Sequence, residues 1–271
     1  MSKPLVVVVT GANRGIGRAI CEHLAKHHTS PLVLYAASRA GAEPDIKSTT
    51  VTLKPARLSL TDSSTIDSLA SAIKSAHGGC DVVINNAGVY YYSENITPQQ
   101  RRETLDANYK GTLRVCQTFI PIMRPGGRIV NLSSQSGQLH YFAPELRKRF
   151  LDPAMTLDQL SKLVAEYSDV AAKGEEAERG WPPMTYFTSK AALNAGTRIL
   201  ARDNPDLLIN CCCPGWVSTD LGSQAGKPPK TSEEGARVPL HLAFGDIGNV
   251  SGRYWANDSV SGKGSGKVQD W

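Results

Sequence analysis

Five consecutive aliphatic residues at 5–9 begin the hydrophobic pattern. An unbroken apolar run of this kind fits a strand buried on both faces of a parallel sheet. Comparable runs at 32–36, 56–60, 80–85, 128–132 and 207–213 each predict a further strand. Between the runs the apolar positions change to helical spacing: Ile16, Ala19, Ile20 and Leu24, then Ile66, Leu69, Ala70 and Ile73, then Leu105, Leu113, Phe119 and Ile122. Thr61 with Asp62, and Thr97 followed by Pro98 and Gln100, supply helix starts. Strand and helix alternate along the chain, which predicts a doubly wound parallel α/β sheet in a single domain, 1–271. Ligands of such sheets lie outside the carboxyl ends of the strands.

The alternation is interrupted at 138–185. Thr156 and Gln159 form a capping-box signature there, and Leu157, Leu160, Leu163, Val164, Tyr167 and Val170 recur at helical spacing up to a stop at Gly174. The segment reads as an insertion that packs one amphipathic helix on the domain, followed by a solvated turn at 175–178. Further on, residues 223–229 read as a flexible lid and Thr231 to Glu234 as a helix start. Arg253, Tyr254 and Trp255 are expected to end the sheet, leaving a mobile Gly/Ser-rich tail at 261–271.

Composition narrows the class. With 41% hydrophobic and 20% charged residues, the chain has ample material for a core. The net charge of +5 is scattered, and the basic runs Arg101–Arg102 and Arg147 to Arg149 fit solvated helix faces. No basic stripe interleaved with aromatics exists, so nucleic acid is not expected as a partner. The apolar run near the start is too short for a signal peptide, and nothing approaches a membrane span. Six cysteines without an export signal point to a reducing compartment, so a cytoplasmic protein is expected. Cys211, Cys212 and Cys213 read as small hydrophobes of a buried strand, and no metal spacing is present.

The chemistry lies at the ends of the strands. After 5–9 come Thr10, Gly11, Ala12, Asn13, Arg14, Gly15, Ile16 and Gly17. A glycine-rich turn between strand and helix lets backbone N–H groups and a helix dipole face a phosphate, as in the Rossmann dinucleotide fold. NAD sites of that fold carry an acidic residue about 20 positions further on. Here Ser38 and Arg39 stand at that place, with Arg14 inside the glycine loop, and these groups suit the 2′-phosphate of NADPH/NADP+. Asn85, Asn86, Ala87 and Gly88 close the fourth run, and Ser133 to Gly137 close the fifth. The three strand ends should converge on one crevice. Tyr186 and Lys190 lie four residues apart in a helical stretch and should share a face. A cation one turn away is expected to lower the tyrosine pKa from its usual value of about 10.

These residues, taken together, resemble the short-chain dehydrogenase/reductase family over nearly the whole chain. The matching positions are Thr10 to Gly17, Asn85 to Gly88, Asn108, Ser134, Tyr186, Lys190, Pro214 and Gly215, in the family's order. Within the family the chain is similar to the monomeric NADPH-dependent carbonyl reductases, which carry an insertion before the tyrosine. The resemblance implies Tyr186 as proton donor, Lys190 as the group that lowers its pKa and holds the nicotinamide ribose, and Ser134 as the hydrogen-bond donor to the substrate carbonyl. It implies that Asn108 holds a relay water, that Asn86, Ala87 and Gly88 line the adenosine side, and that Val217 and Thr219 bind the carboxamide end. It also implies a monomer. Where the family often has Asp near the end of the third strand, this chain has Ser59, with Asp62 three residues later.

Ser134, Ser136, Gln138, Tyr141, Phe142, Trp216 and Leu221 are the candidate lining of a substrate pocket. Such walls favour ketones, aldehydes or quinones with a hydrophobic body. An NADP-dependent alcohol dehydrogenase acting mainly in oxidation is an alternative. A second, of another class, is a non-catalytic NADPH-sensing protein, whose usual signature is a lost tyrosine or lysine.

Overall fold

A computed structural model gives the fold and describes residues 3–93 and 95–271; Met1, Ser2 and Glu94 lie outside the described residues. Its eight strands form one sheet whose spatial order, numbering the strands along the chain, is 3-2-1-4-5-6-7-8. The strands β1 (Leu5–Thr10), β2 (Leu32–Ser38), β3 (Val51–Arg57), β4 (Cys80–Asn85), β5 (Met123–Leu132), β6 (Leu208–Cys212) and β7 (Tyr254–Ala256) pair in parallel. Two helical layers cover the sheet, and β1 shows why its sequence carries no polar alternation. Val6 and Val8 enter the core on one face, while Val7 and Val9 enter the core on the other. Helices α1 (Gly15–His27) and α8 (Ser232–Phe244) pack on the second face. The first face takes α2 (Ser63–His77), α4 (Thr112–Phe119) and α7 (Thr185–Asp203). The chain changes direction across the sheet between β1 and β4, and in sheets of this topology the ligand crevice lies outside the carboxyl ends at that point.

The third strand departs from the expectation at 56–60. Pairing with β2 begins at Val51 and passes through Pro55. Proline lacks a donor for the ladder, but β3 is an edge strand and has one partner only. Asp62, expected as a helix start, caps α2 by accepting from Ser64 N at 3.2 Å.

Helix α3 (Pro98–Leu105) starts at a Thr97–Gln100 capping box and runs into a π-helical turn, Asp106–Gly111, before α4 continues. Gly111 allows close packing here, since an added Cβ would lie 2.3 Å from Leu60 O. The insertion holds two helices, α5 (Pro144–Leu151) and α6 (Leu157–Lys173), where one was expected. Only Leu146 and Phe150 of α5 are buried, which is too little periodicity to read. Glu176 was expected in a solvated turn, yet it is buried and pairs with Arg101 at 2.6 Å. The Arg147–Arg149 run is engaged as well: Arg147 donates to Phe142 O and His140 O, and Arg149 pairs with Glu166.

The sheet does not end at β7. Residues Lys267–Gln269 of the tail expected to be mobile form β8, antiparallel to β7, with Trp255 opposite Val268. No helix among the described residues is long and apolar enough to cross a membrane.

Candidate active site

The glycine loop opens on Thr10, whose hydroxyl accepts from the backbone N–H groups of Asn86 and Ala87 at 3.1 and 3.0 Å. In return Asn86 Nδ2 donates to the carbonyls of Thr10 and Gly11. The glycine loop and the Asn85–Gly88 turn thus form one braced unit, and at the end of β4 Asn85 Nδ2 donates to Asn131 Oδ1 at 2.8 Å. Gly11 and Gly15 adopt φ of 67° and 54°, a region that favours glycine. A Cβ on Gly17 would meet Gly11 O at 2.3 Å, so this position admits no side chain.

Helices α2, α3, α6 and α8 each begin with a side-chain cap on their backbone N–H groups. At α1, as at α5 and α7, no such cap exists, and no acidic residue sits in its first turn. A helix N-terminus left without a cap directly after a glycine-rich loop fits the pyrophosphate of a dinucleotide. Asn13 and Arg14 are exposed on the loop, with Arg14 Nη1 2.6 Å from Asp220 Oδ2. Thr219 Cγ2 would touch a Cβ built on Gly15, so the segment after β6 reaches over to the glycine loop. Ile16 and Val217 pack together against Gly235 of α8. Val217 therefore buries its side chain and offers the crevice backbone only.

Ser38 is buried and its hydroxyl accepts from Gly41 N, so it shapes the turn after β2 and leaves the exposed Arg39 as the polar head at that end. Ser59 and Asp62 are both engaged around the start of α2.

Tyr186 lies in the first turn of α7, with Lys190 one turn on and its Nζ 5.5 Å from the Tyr186 ring centre. Lys190 Nζ donates to Leu132 O at 2.8 Å, at the end of β5, and approaches Gly88. The pKa relation differs from the expectation. Burial raises the Tyr186 phenol well above its usual value, and the facing Ser134 hydroxyl acts in the opposite direction. Burial also pushes Lys190 down to about 8. Desolvation is the leading cause at both groups, and it moves each of them toward its neutral form. Of the two serines after β5, Ser133 turns inward toward Lys190 O, whereas Ser134 faces Tyr186.

Asn108 is buried in the π-helical turn, not solvent-facing. Its Oδ1 accepts from Val89 N at 2.8 Å, and its Nδ2 donates to Val89 O at 2.9 Å and Ser189 Oγ at 3.2 Å. Both Nδ2 hydrogens are committed to protein, so the side-chain amide clamps the turn after Gly88.

Among the expected pocket residues, Ser136, Gln138, Trp216 and Leu221 are half-buried, and Tyr141 is exposed with its ring 4.8 Å from Phe187. Phe142 does not belong with them. It is 2% exposed and packs edge-on against Phe150 and Trp181, in the core beneath the insertion. Trp216 Nε1 donates to Gly222 O, holding the 3-10 turn Gly222–Ala225 where a flexible lid was expected. Pro214 and Gly215 turn the chain after β6, with Gly215 at φ 88° and Pro214 O accepting from the buried Lys230. The sequence reading missed Tyr90, whose ring centre lies 4.6 Å from that of Tyr186, and Gln224, which bonds the same loop. Three successive tyrosines directly after Gly88 and Val89 were the available signal.

The uncapped glycine-loop helix, the braced Asn-Asn-Ala-Gly turn and the Ser134–Tyr186–Lys190 cluster meet at one crevice. The chain belongs to the short chain dehydrogenase family, whose model matches residues 5–144. It is 34% identical to carbonyl reductase (NADPH) 1 of Sus scrofa over 256 residues, covering 90% of this chain and 88% of that protein. The corresponding protein of Oryctolagus cuniculus is 35% identical over 252 residues, with 88% and 90% covered. Among solved structures, salutaridine reductase from Papaver somniferum superposes with a TM-score of 0.78 at 30% identity, covering 94% of this chain and 99% of that one.

Proposed function

We propose that this chain is an NADPH-dependent carbonyl reductase that converts a ketone, aldehyde or quinone to the alcohol. The observation that carries the proposal is the placement of Tyr186 in the first turn of α7, with Lys190 Nζ 5.5 Å from its ring centre and Ser134 facing it, at the strand ends beside the glycine-loop helix. The names of the reductase relatives support the same reading.

Gly11, Gly15, Gly17 and the first turn of α1 hold the pyrophosphate of NADPH, and Arg39 meets its 2′-phosphate, with Arg14 available from the loop. Asn86, Ala87 and Gly88 line the adenosine side, and Pro214, Gly215, Val217 and Thr219 bound the nicotinamide end through backbone and hydroxyl groups. Bound NADPH supplies the hydride that reaches the carbonyl carbon. Ser134 orients the carbonyl oxygen with its hydroxyl, and Tyr186 gives that oxygen its proton. Lys190 Nζ, fixed by Leu132 O, keeps donors for the ribose and stabilises the phenolate left behind. Asn108 is a positioning residue that holds Val89 and Ser189.

We further take the protein to be a cytosolic monomer. All six cysteines are free and buried, which suits a reducing compartment, and the insertion covers one side of α7. A dimer mass by sedimentation would refute the monomer.

The test is NADPH oxidation with a panel of ketones, aldehydes and quinones, comparing wild type with Tyr186→Phe. Loss of a positioned general acid lowers turnover by about 100- to 10,000-fold. NADPH binding should persist in the variant. Tight NADPH binding with no turnover in wild type would overturn the reductase reading in favour of a sensing role.

A further inference from the structure

We infer that Tyr90, held in place by Gln224, is a specificity-determining residue that forms one wall of the substrate site beside the proton donor and selects carbonyl compounds with a flat ring next to the carbonyl carbon. The half-buried Tyr90 ring is tilted 59° to that of Tyr186 at 4.6 Å. Tyr92, 57% exposed, continues the aromatic surface outward at 6.1 Å. Among the described residues the Tyr90 hydroxyl makes no hydrogen bond, so no internal polar contact fixes this side chain.

What fixes Tyr90 is its backbone. Asn108 takes both polar groups of Val89, as described above. Gln224 Nε2 donates to Tyr90 O at 3.0 Å, while its Oε1 accepts from Tyr92 N at 3.3 Å. One side-chain amide thus bonds the loop as a neighbouring strand would. Gln224 is itself carried by the 3-10 turn that Trp216 holds through Gly222 O. Tyr91 anchors the loop on the other side by donating to Glu103 Oε2. The ring is therefore a pre-positioned wall, and a carbonyl oxygen that reaches the Tyr186 hydroxyl must lay its substituent along it. Aromatic faces favour stacked or edge-on flat partners, whereas a puckered saturated ring meets the wall with axial hydrogens.

The inference rests on the carbonyl-reductase reading only for the position of the carbonyl oxygen, and the two can fail separately. Acetophenone and cyclohexyl methyl ketone differ in ring flatness and in conjugation of the carbonyl, and the conjugation difference cancels when one ratio is compared between variants. Tyr90→Phe should keep the wild-type aryl-to-cyclohexyl ratio of kcat/KM, and Tyr90→Ala should lower it by about tenfold, the worth of one aromatic contact. Gln224→Leu should lower the ratio in part. NADPH affinity unchanged in Tyr90→Ala marks an intact fold. In parallel, calorimetry with 1-phenylethanol and 1-cyclohexylethanol on the NADP+-loaded protein reads the same preference without turnover. A Tyr90-dependent binding preference in a protein that does not turn over sinks the reductase reading and keeps this one. Turnover or binding with a ratio that Tyr90→Ala leaves unmoved overturns it, as does absence of any Tyr90-dependent difference in both assays.

Discussion

The Tyr167 hydroxyl in α6 donates to Thr185 Oγ1 at 2.9 Å, and Thr185 immediately precedes Tyr186. Both partners are buried, and α7 starts without a side-chain cap. The insertion therefore holds the beginning of the helix that carries Tyr186. Tyr167→Phe should cost about 1–2 kcal/mol by leaving a buried hydroxyl with one partner fewer. A urea titration measures that loss, and kcat should fall severalfold with little change in KM. An unchanged kcat would mean that the first turn of α7 is positioned without this bond.

Activity should depend on pH through Lys190. With its pKa pushed down to about 8, the ammonium is present below that pH and lost above it, while the raised Tyr186 phenol stays protonated throughout. Reduction should be level near neutrality and fall by about tenfold per pH unit above about 8. The stability contribution has the opposite sign. Between about 8 and the unfolded lysine value of about 10.4, the unfolded chain binds more protons, so stability from this group rises with pH. A kcat/KM profile that stays flat to pH 10 would count against the role given to Lys190.

Cofactor choice should rest on Arg39 more than on Arg14. Arg14 is already paired with Asp220, whereas Arg39 pairs with no carboxylate among the described residues. Removing a charge-assisted bond costs about 1.5–3 kcal/mol, so Arg39→Ala should weaken NADPH binding by about 10- to 100-fold. NADH binding should not change. Fluorescence titrations at fixed salt compare the two, and equal losses for both cofactors would contradict the assignment.

Phe142 provides a test of the division between core and pocket. Its truncation to Ala should destabilise the protein by about 3–5 kcal/mol, as expected of a buried aromatic side chain. Relative kcat/KM values across a substrate panel should remain as in wild type. A shifted substrate order with unaltered stability would return Phe142 to the pocket.

The strands and the glycine loop were legible because burial on both faces of a parallel sheet writes continuous aliphatic runs, as at Val6 to Val9. Capping boxes made the start of α6 readable to the residue. The pieces that escaped are those set by tertiary context. Pro55 disguised an edge strand, α5 has two buried positions, and β8 is three residues long. The pairing of Tyr186 with Lys190 was readable from spacing, but the direction of its pKa was not, since burial depends on everything packed around it. Tyr90 and Gln224 are 134 residues apart in sequence, and no local pattern announces their meeting.

The π-helical turn Asp106–Gly111 carries one further consequence. Such a turn accommodates one residue more than the surrounding α-helix, so α3 and α4 stand in different registers on either side of it. Deleting a single residue there would let the rod run straight through at α-helical pitch, with Asn108 swung off the Val89 loop. Every residue of the Ser134–Tyr186–Lys190 cluster would still be present. A site of this design can be silenced by a change of phase alone, leaving a chain whose motifs all read as intact.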